Sequence, residues 1–399
     1  MFDGMVGRLP VFDRGLEIFG YELRFCGREA LRGGGGGVAG PETLREASHC
    51  LPLDDLVGGS RALVRVPSEG LAACAEWGWP KERVVLAVPG AVAREAGLGA
   101  VAGRLADLGY AIALCDPAGD PGWLRREAAY VSLCLFDADR LPAGAAGWPG
   151  GHGLDLRCLV AGVGTRDQFE RCVKLGFHYF QGAFVERPGR LRGPDIPGNR
   201  LALLELLATL QNPDISIAEA ETLIGRDMVL SYKLLRLINS AFFGLGKPVE
   251  SIRRAVLVFG LGRVKNWASV ILMNSVDYQP RELLAMATLR ARTCESLAQH
   301  LKRPDPEHYY LAGLFSLLDA VMDLPREQIL SSLNLPAPVD AALLEGAGPV
   351  GEALRLVLAF ERADPAPLVA AGLADVVPAH LYLDAIRWSR GLGAALAPA

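Results

Sequence analysis

The stretch Arg187–Asn199, "RPGRLRGPDIPGN", separates two halves of the chain with different hydrophobic periods. Its proline, glycine and arginine content suits neither a helix nor a strand and marks a linker. On its N-terminal side short apolar runs recur: Ile18–Phe25, Arg61–Val66, Arg83–Val88, Ala111–Cys115, Ala129–Leu135, Leu156–Gly162 and His178–Ala183. Helix-type stretches such as Ala100–Leu108 and Arg166–Leu175 lie between them. Strands alternating with helices predict βαβ units and a parallel sheet, here a TIM-like (β/α) barrel.

On the C-terminal side the apolar spacing is helical almost to the end. Asn199–Leu210 puts Leu201, Leu204 and Leu207 on one face. Ser216 and Glu219 stand at capping-box spacing. Ser251 is expected to cap Ile252–Phe259, and the Gly260–Gly262 break restarts a helix through Met273. Further helices are predicted over Arg281–His300, Glu307–Met322, Arg326–Leu333, Pro349–Glu361 and Pro378–Leu392. The fold class is therefore a two-domain one: an α/β barrel over 1–187, a linker over 188–198 and an all-α domain over 199–392.

With 399 residues the chain can build two or three cores. Hydrophobic residues at 51% and charged residues at 22% exclude a disordered chain. The net charge of −4 gives no field for wrapping nucleic acid, which is disfavoured as a partner. No apolar run reaches the ~18 residues of a membrane span. Met1–Pro10 lacks the apolar core of a signal peptide. A cytoplasmic protein with no membrane partner is the expectation. The eight cysteines form no C-x-x-C pair and are expected to be buried reduced thiols rather than zinc ligands. No metal and no cofactor is expected. The tract Gly33–Gly37 reads as a flexible loop in the first barrel connection, since it lacks the Lys-Ser/Thr ending of a phosphate loop.

The segment Gly7–Phe25, "GRLPVFDRGLEIFGYELRF", resembles the opening of EAL domains, which hydrolyse the bacterial second messenger cyclic di-GMP. Leu234–Leu272, "LLRLINSAFFGLGKPVESIRRAVLVFGLGRVKNWASVIL", resembles an HDOD domain, a helical module related to HD phosphohydrolases. The order is similar to EAL–HDOD tandem signalling proteins, with the EAL part shortened. The stretch between Phe25 and Arg61 looks cramped, so imperfect barrel closure is expected.

The EAL resemblance implies two divalent metals held by Glu, Asn and Asp side chains at successive strand ends. Such metals clamp a phosphodiester and generate hydroxide, which needs several hard oxygen ligands. Carried onto this chain, the signature Glu falls at Glu22, and Cys26 takes the place of the phosphate-holding arginine, with Arg24 displaced. The remaining metal and catalytic positions fall on Arg65, Ala87, Cys115 with Asp116, Ser132, Cys134, Ala161 and Gly164. The late Gln-Gly survives as Gln181-Gly182. Only Glu22 and Asp116 offer carboxylates at the strand ends. Glu22, Arg65, Asp116 and Gln181 are therefore read as a remnant of a ligand site, and catalysis is not expected.

HD enzymes bind metal with histidines and a His-Asp pair. In the matching segment the pair is replaced by Ser316-Leu317, Arg290 or Arg292 stands where an upstream His would, and Asp319 is left alone. What remains is a helical surface of Asn239, Phe242, Phe243, Lys247, Arg253, Arg254, Lys265, Asn266 and Trp267. Its aromatic residues are either core or part of a docking groove. Taken together, these readings describe a non-enzymatic signalling regulator that acts through protein–protein contact. Its partner is an unnamed signalling protein, and the EAL resemblance adds a homodimer. The alternatives are a metal-independent receptor for cyclic di-GMP or another nucleotide and, further behind, a slow metal-dependent phosphodiesterase.

Overall fold

The computed structural model describes residues 2–33, 39–71, 73–90, 103, 105–116, 131–141, 156–189, 198–277, 279–374, 376 and 380–397. Most of the glycine tract, of the stretch 100–104 and of the linker lies outside them.

The N-terminal half forms a closed barrel of eight strands in sequential order. They are β1 (Gly4–Asp13), β2 (Ile18–Gly27), β3 (Arg61–Arg65), β4 (Val84–Pro89), β5 (Ala111–Cys115), β6 (Leu133–Asp137), β7 (Arg157–Ala161) and β8 (Tyr179–Phe180). The sequence reading placed seven strands and missed β1. It is a hairpin partner of β2, and in its turn the Asp13 carboxylate accepts from the backbone N–H of Gly15 at 2.8 Å and of Glu17 at 3.0 Å. β1 runs antiparallel to both β2 and β8, pairing Phe12 with Phe180 and Asp13 with Tyr179. That strand closes the ring, which corrects the expectation of imperfect closure. Nor is the first connection too short: helices Arg28–Gly33, Pro41–Cys50 and Leu53–Val57 fit into it.

Strand alternation sends one set of side chains inward. Leu63, Val85, Ala87, Ala113, Cys115, Leu133, Leu135, Leu159 and Ala161 make up the barrel core. Phe19 and Tyr179 stack at 3.8 Å against it. Burying each Leu here contributes about 1.5–3 kcal/mol.

The C-terminal half is helical throughout its described residues. The Ser216–Glu219 capping box forms with both of its hydrogen bonds, and Ser251 caps Ile252–Phe259 through the Arg254 N–H. Expected Glu307–Met322 is two helices, Pro306–Phe315 and Leu318–Met322. The chain breaks at Ser316, whose hydroxyl turns back to the Gly313 carbonyl at 2.7 Å.

Two compact units result. One is Met1–Val185 with Ala359–Leu383; the other is Glu186–Leu358 with Asp384–Ala399. The segment 359–383, expected as part of the helical domain, thus belongs with the barrel. It lies against β1 at Gly7, where a Cβ would stand 2.6 Å from the Glu361 carbonyl oxygen and the Ala363 nitrogen. Only glycine permits that approach.

Candidate functional site

The C-terminal strand ends of the barrel bring Glu22, Arg65 and Gln181 together, with Asp116 beside them. Glu22 on β2 is paired with Leu63 on β3, and Arg65 follows two residues on, so both side chains share the inner face. The Glu22 side chain is 1% exposed. Its Oε1 accepts from Arg65 Nε at 2.7 Å and from Arg24 Nε at 3.3 Å. Burial alone would raise its pKa. The guanidiniums of Arg24 and Arg65 outweigh that, with a smaller contribution from Gln181, and hold the carboxyl below its ordinary value. The second oxygen, Oε2, makes no hydrogen bond of ordinary geometry.

Gln181 is buried just past β8, its backbone N–H bonded to the Val160 carbonyl and its own carbonyl to Val163 N–H. Asp116 follows β5 with a left-handed φ of 45° and an exposed side chain. Its charge reaches Arg65. Ala87 and Ala161 line the interior and supply no donor. Cys115 also faces inward, and burial pushes its thiol up to about 12, against the pull of Arg65. Ser132 is bonded to the Ile112 carbonyl at 3.0 Å.

Two corrections follow at β6. Cys134 stands between inward-facing Leu133 and Leu135, so it points outward, where it neighbours Cys158 on β7. It cannot occupy a position equivalent to an inward metal ligand. The strand also runs two residues beyond Leu135, where the sequence reading ended it. Asp137 therefore adds a carboxylate at the strand ends that the reading missed, in register with Ala161. It is spent locally, accepting from the Asp139 N–H at 2.9 Å. Among the described residues no three His, Cys, Asp or Glu side chains are grouped so as to hold a metal ion.

The helical surface residues divide. Lys247, Arg253 and Arg254 are exposed, with Arg253 paired to Glu221 at 2.9 Å. Asn239 clamps the following turn, its amide both donating to and accepting from Val249 backbone. Lys265 and Asn266 are buried rather than exposed, a correction, and Trp267 is buried as the core reading had it, because the helix Leu261–Met273 is buried on all sides from Val264 onward. Lys265 Nζ donates to the Asn212 carbonyl, and burial lowers its pKa. Phe242 and Phe243 are half-buried in one aromatic cluster with Trp267 and Trp388. All eight cysteines are free thiols. No helix among the described residues is long and apolar enough to cross a membrane.

The HDOD family model matches residues 196–322. That part of the chain is an HDOD domain. A Vibrio cholerae protein named cyclic di-GMP phosphodiesterase CdgJ is 28% identical over 389 residues, covering 91% of this chain and 86% of its own length. The uncharacterized protein YuxH of Bacillus subtilis is 25% identical over 406 residues, covering 97% and 98%. Among solved structures, the PaMucR phosphodiesterase in complex with c-di-GMP covers 45% of this chain and 94% of its own, at 18% identity and a TM-score of 0.38. The EAL domain of Mycobacterium smegmatis DcpA covers 45% and 90%, at 18% identity and a TM-score of 0.34. The tandem order read from the sequence stands in both parts: a closed eight-stranded barrel comes first and an HDOD domain follows.

Proposed function

We propose that this chain is a signal-transduction regulator of the EAL–HDOD kind that works by binding and contact rather than by turnover. The carrying observation is the Glu22 carboxylate held by Arg65 and Arg24. A divalent metal at Glu22 would have to displace a guanidinium at 2.7 Å. It would then find Ala87 and Ala161 where further oxygen ligands are needed. The donor set does not fit a metal pair, and no hydrolytic step is derived through one. The HDOD half is then the output element, and its partner is a protein.

The competing reading is phosphodiesterase activity, which the name of the Vibrio cholerae relative suggests. Incubation of the full chain with cyclic di-GMP and Mg²⁺ or Mn²⁺ tests it. The expected result is no linear product above the Glu22→Gln background. Metal-dependent turnover that Glu22→Gln abolishes would overturn the proposal. A second reading, a metal-independent receptor, rests on the guanidiniums of Arg24 and Arg65, which stand at the mouth beside Glu22 and Asp116 and offer donors to phosphate oxygens. It predicts saturable cyclic di-GMP binding in EDTA that is weakened by Arg24→Ala.

A further inference from the structure

The helical unit holds a cavity of about 270 Å³, half of whose lining residues are aromatic and half polar or charged. Phe243, Phe259 and Trp267 form one cluster, with ring centroids 4.6–5.9 Å apart. Tyr310 packs edge to face on Trp388 at 6.2 Å, and Phe242 joins that pair to the other three rings. Such faces stack a planar ring, a contact worth ~1–3 kcal/mol per base where nucleobases are held.

The charges give the cavity a sign. Arg292 lies over the Trp388 ring at 5.5 Å and is neutralised by Glu295 at 2.7 Å. Its cation–π site is therefore already filled, which leaves no demand for a cationic guest. Arg263 also lines the cavity, is exposed, and has no carboxylate partner among the described residues. The net charge of these three groups is positive, so an anionic group at the mouth is favoured.

Polar atoms inside are underused. Tyr310 is 3% exposed, and its hydroxyl has no hydrogen-bond partner among the described residues. Burial and the nearby Glu295 push its pKa up, so it stays a neutral donor. Among the described residues, the side chain of buried Asn266 makes one long bond, 3.5 Å to the Glu307 carbonyl. An unsatisfied buried hydroxyl costs free energy that a bound polar edge would recover. The volume lies just below the ~300–1,000 Å³ of drug-sized pockets, which suits one ring system with one substituent and excludes a cyclic dinucleotide.

We infer that this cavity binds a small planar aromatic molecule carrying one anionic group. The aromatic faces take the ring, Tyr310 and Asn266 its polar edge, and Arg263 the anion.

Titration of the full chain with AMP, GMP and indole-3-acetate, read by tryptophan fluorescence and calorimetry, tests this. Adenosine, guanosine and indole serve as the neutral counterparts. At least one anion is expected to saturate, with its neutral counterpart about tenfold weaker. Arg263→Ala should remove that difference, and Arg24→Ala in the barrel should not. Tyr310→Phe should weaken binding while leaving the melting temperature unchanged or raised, because it deletes a hydroxyl with no protein partner. Saturation by the nucleotides or by the indole acid distinguishes the two sources of this chemistry. No saturation by any of the three up to millimolar concentration would overturn the inference. So would binding indifferent to both Arg263→Ala and Tyr310→Phe.

Discussion

Glu22 in the barrel and Asp319 in the helical unit are both buried carboxylates paired with an arginine, yet burial wins at only one of them. Glu22 meets Arg65 at 2.7 Å, and Asp319 meets Arg326 at 3.0 Å. The two arginines are similarly exposed, at 34% and 39%, and each carboxylate has one oxygen without an ordinary hydrogen bond. The Glu22 carboxyl is nevertheless held below its usual value, while burial raises that of Asp319. The difference is the second guanidinium, Arg24. One arginine at the protein edge does not repay the desolvation of a buried carboxylate; two do.

The largest break in this comparison should come from Arg65→Ala, which strips Glu22 of its shortest contact. We expect a loss of about 1.5–3 kcal/mol in urea unfolding, the worth of a hydrogen bond to a charged group, with Arg24 left as the one partner. Arg326→Ala should cost only about 1 kcal/mol, since Asp319 can take up a proton. Equal losses would show that the second guanidinium is irrelevant. Arg24→Ala should cost about 1 kcal/mol at most, being a half-exposed pair. It should also move the Glu22 titration upward, toward the behaviour of Asp319, as followed by carboxyl NMR. Asp319→Asn should change stability by no more than about 0.5 kcal/mol, because the charge it removes is already disfavoured.

The pH dependence separates the two units by sign. Glu22 is lowered from 4.5, so its contribution is present above 4.5 and is lost as pH falls through the lower folded value. Asp319 is raised from 3.8, so its contribution is present below 3.8 and is lost as pH rises through the higher folded value. Acidification from pH 6 should therefore loosen the barrel mouth and spare the surroundings of Asp319. Hydrogen exchange measured segment by segment reads this directly, and parallel loosening of both would contradict it.

Local signals carried much of this architecture. The parallel strands were legible because each is an apolar run between turn residues, and the Ser216 and Ser251 caps because their hydrogen bonds span three residues. β1 was not legible. Two glycines and a proline dilute its apolar pattern, and its strand identity comes from β2 and β8 pairing on either side. Asp137 was lost because the strand runs one residue past its apolar run, Leu133–Phe136, and ends on a charged side chain. Glu22, Arg65 and Gln181 were found by order along the chain. Of the cavity, Phe243, Asn266 and Trp267 stood out in one stretch. Arg292, Glu295, Tyr310 and Trp388 are brought to it only by packing of helices distant in sequence.

The backbone of Gly7 against Glu361 and Ala363 also bears on how the protein is made. During synthesis the eight strands leave the ribosome once residue 180 has emerged. The segment that covers β1 ends at Leu383, about 200 residues later. At ~5–20 residues per second the nascent barrel waits on the order of 10–40 s with that face of its first strand uncovered. All of the helical unit except its final piece, Asp384–Ala399, is synthesised within that interval. A ribosome stalled anywhere in the HDOD region would thus hold a closed barrel that lacks its last piece of wall, so the barrel waits for most of the helical unit to be made before it is complete.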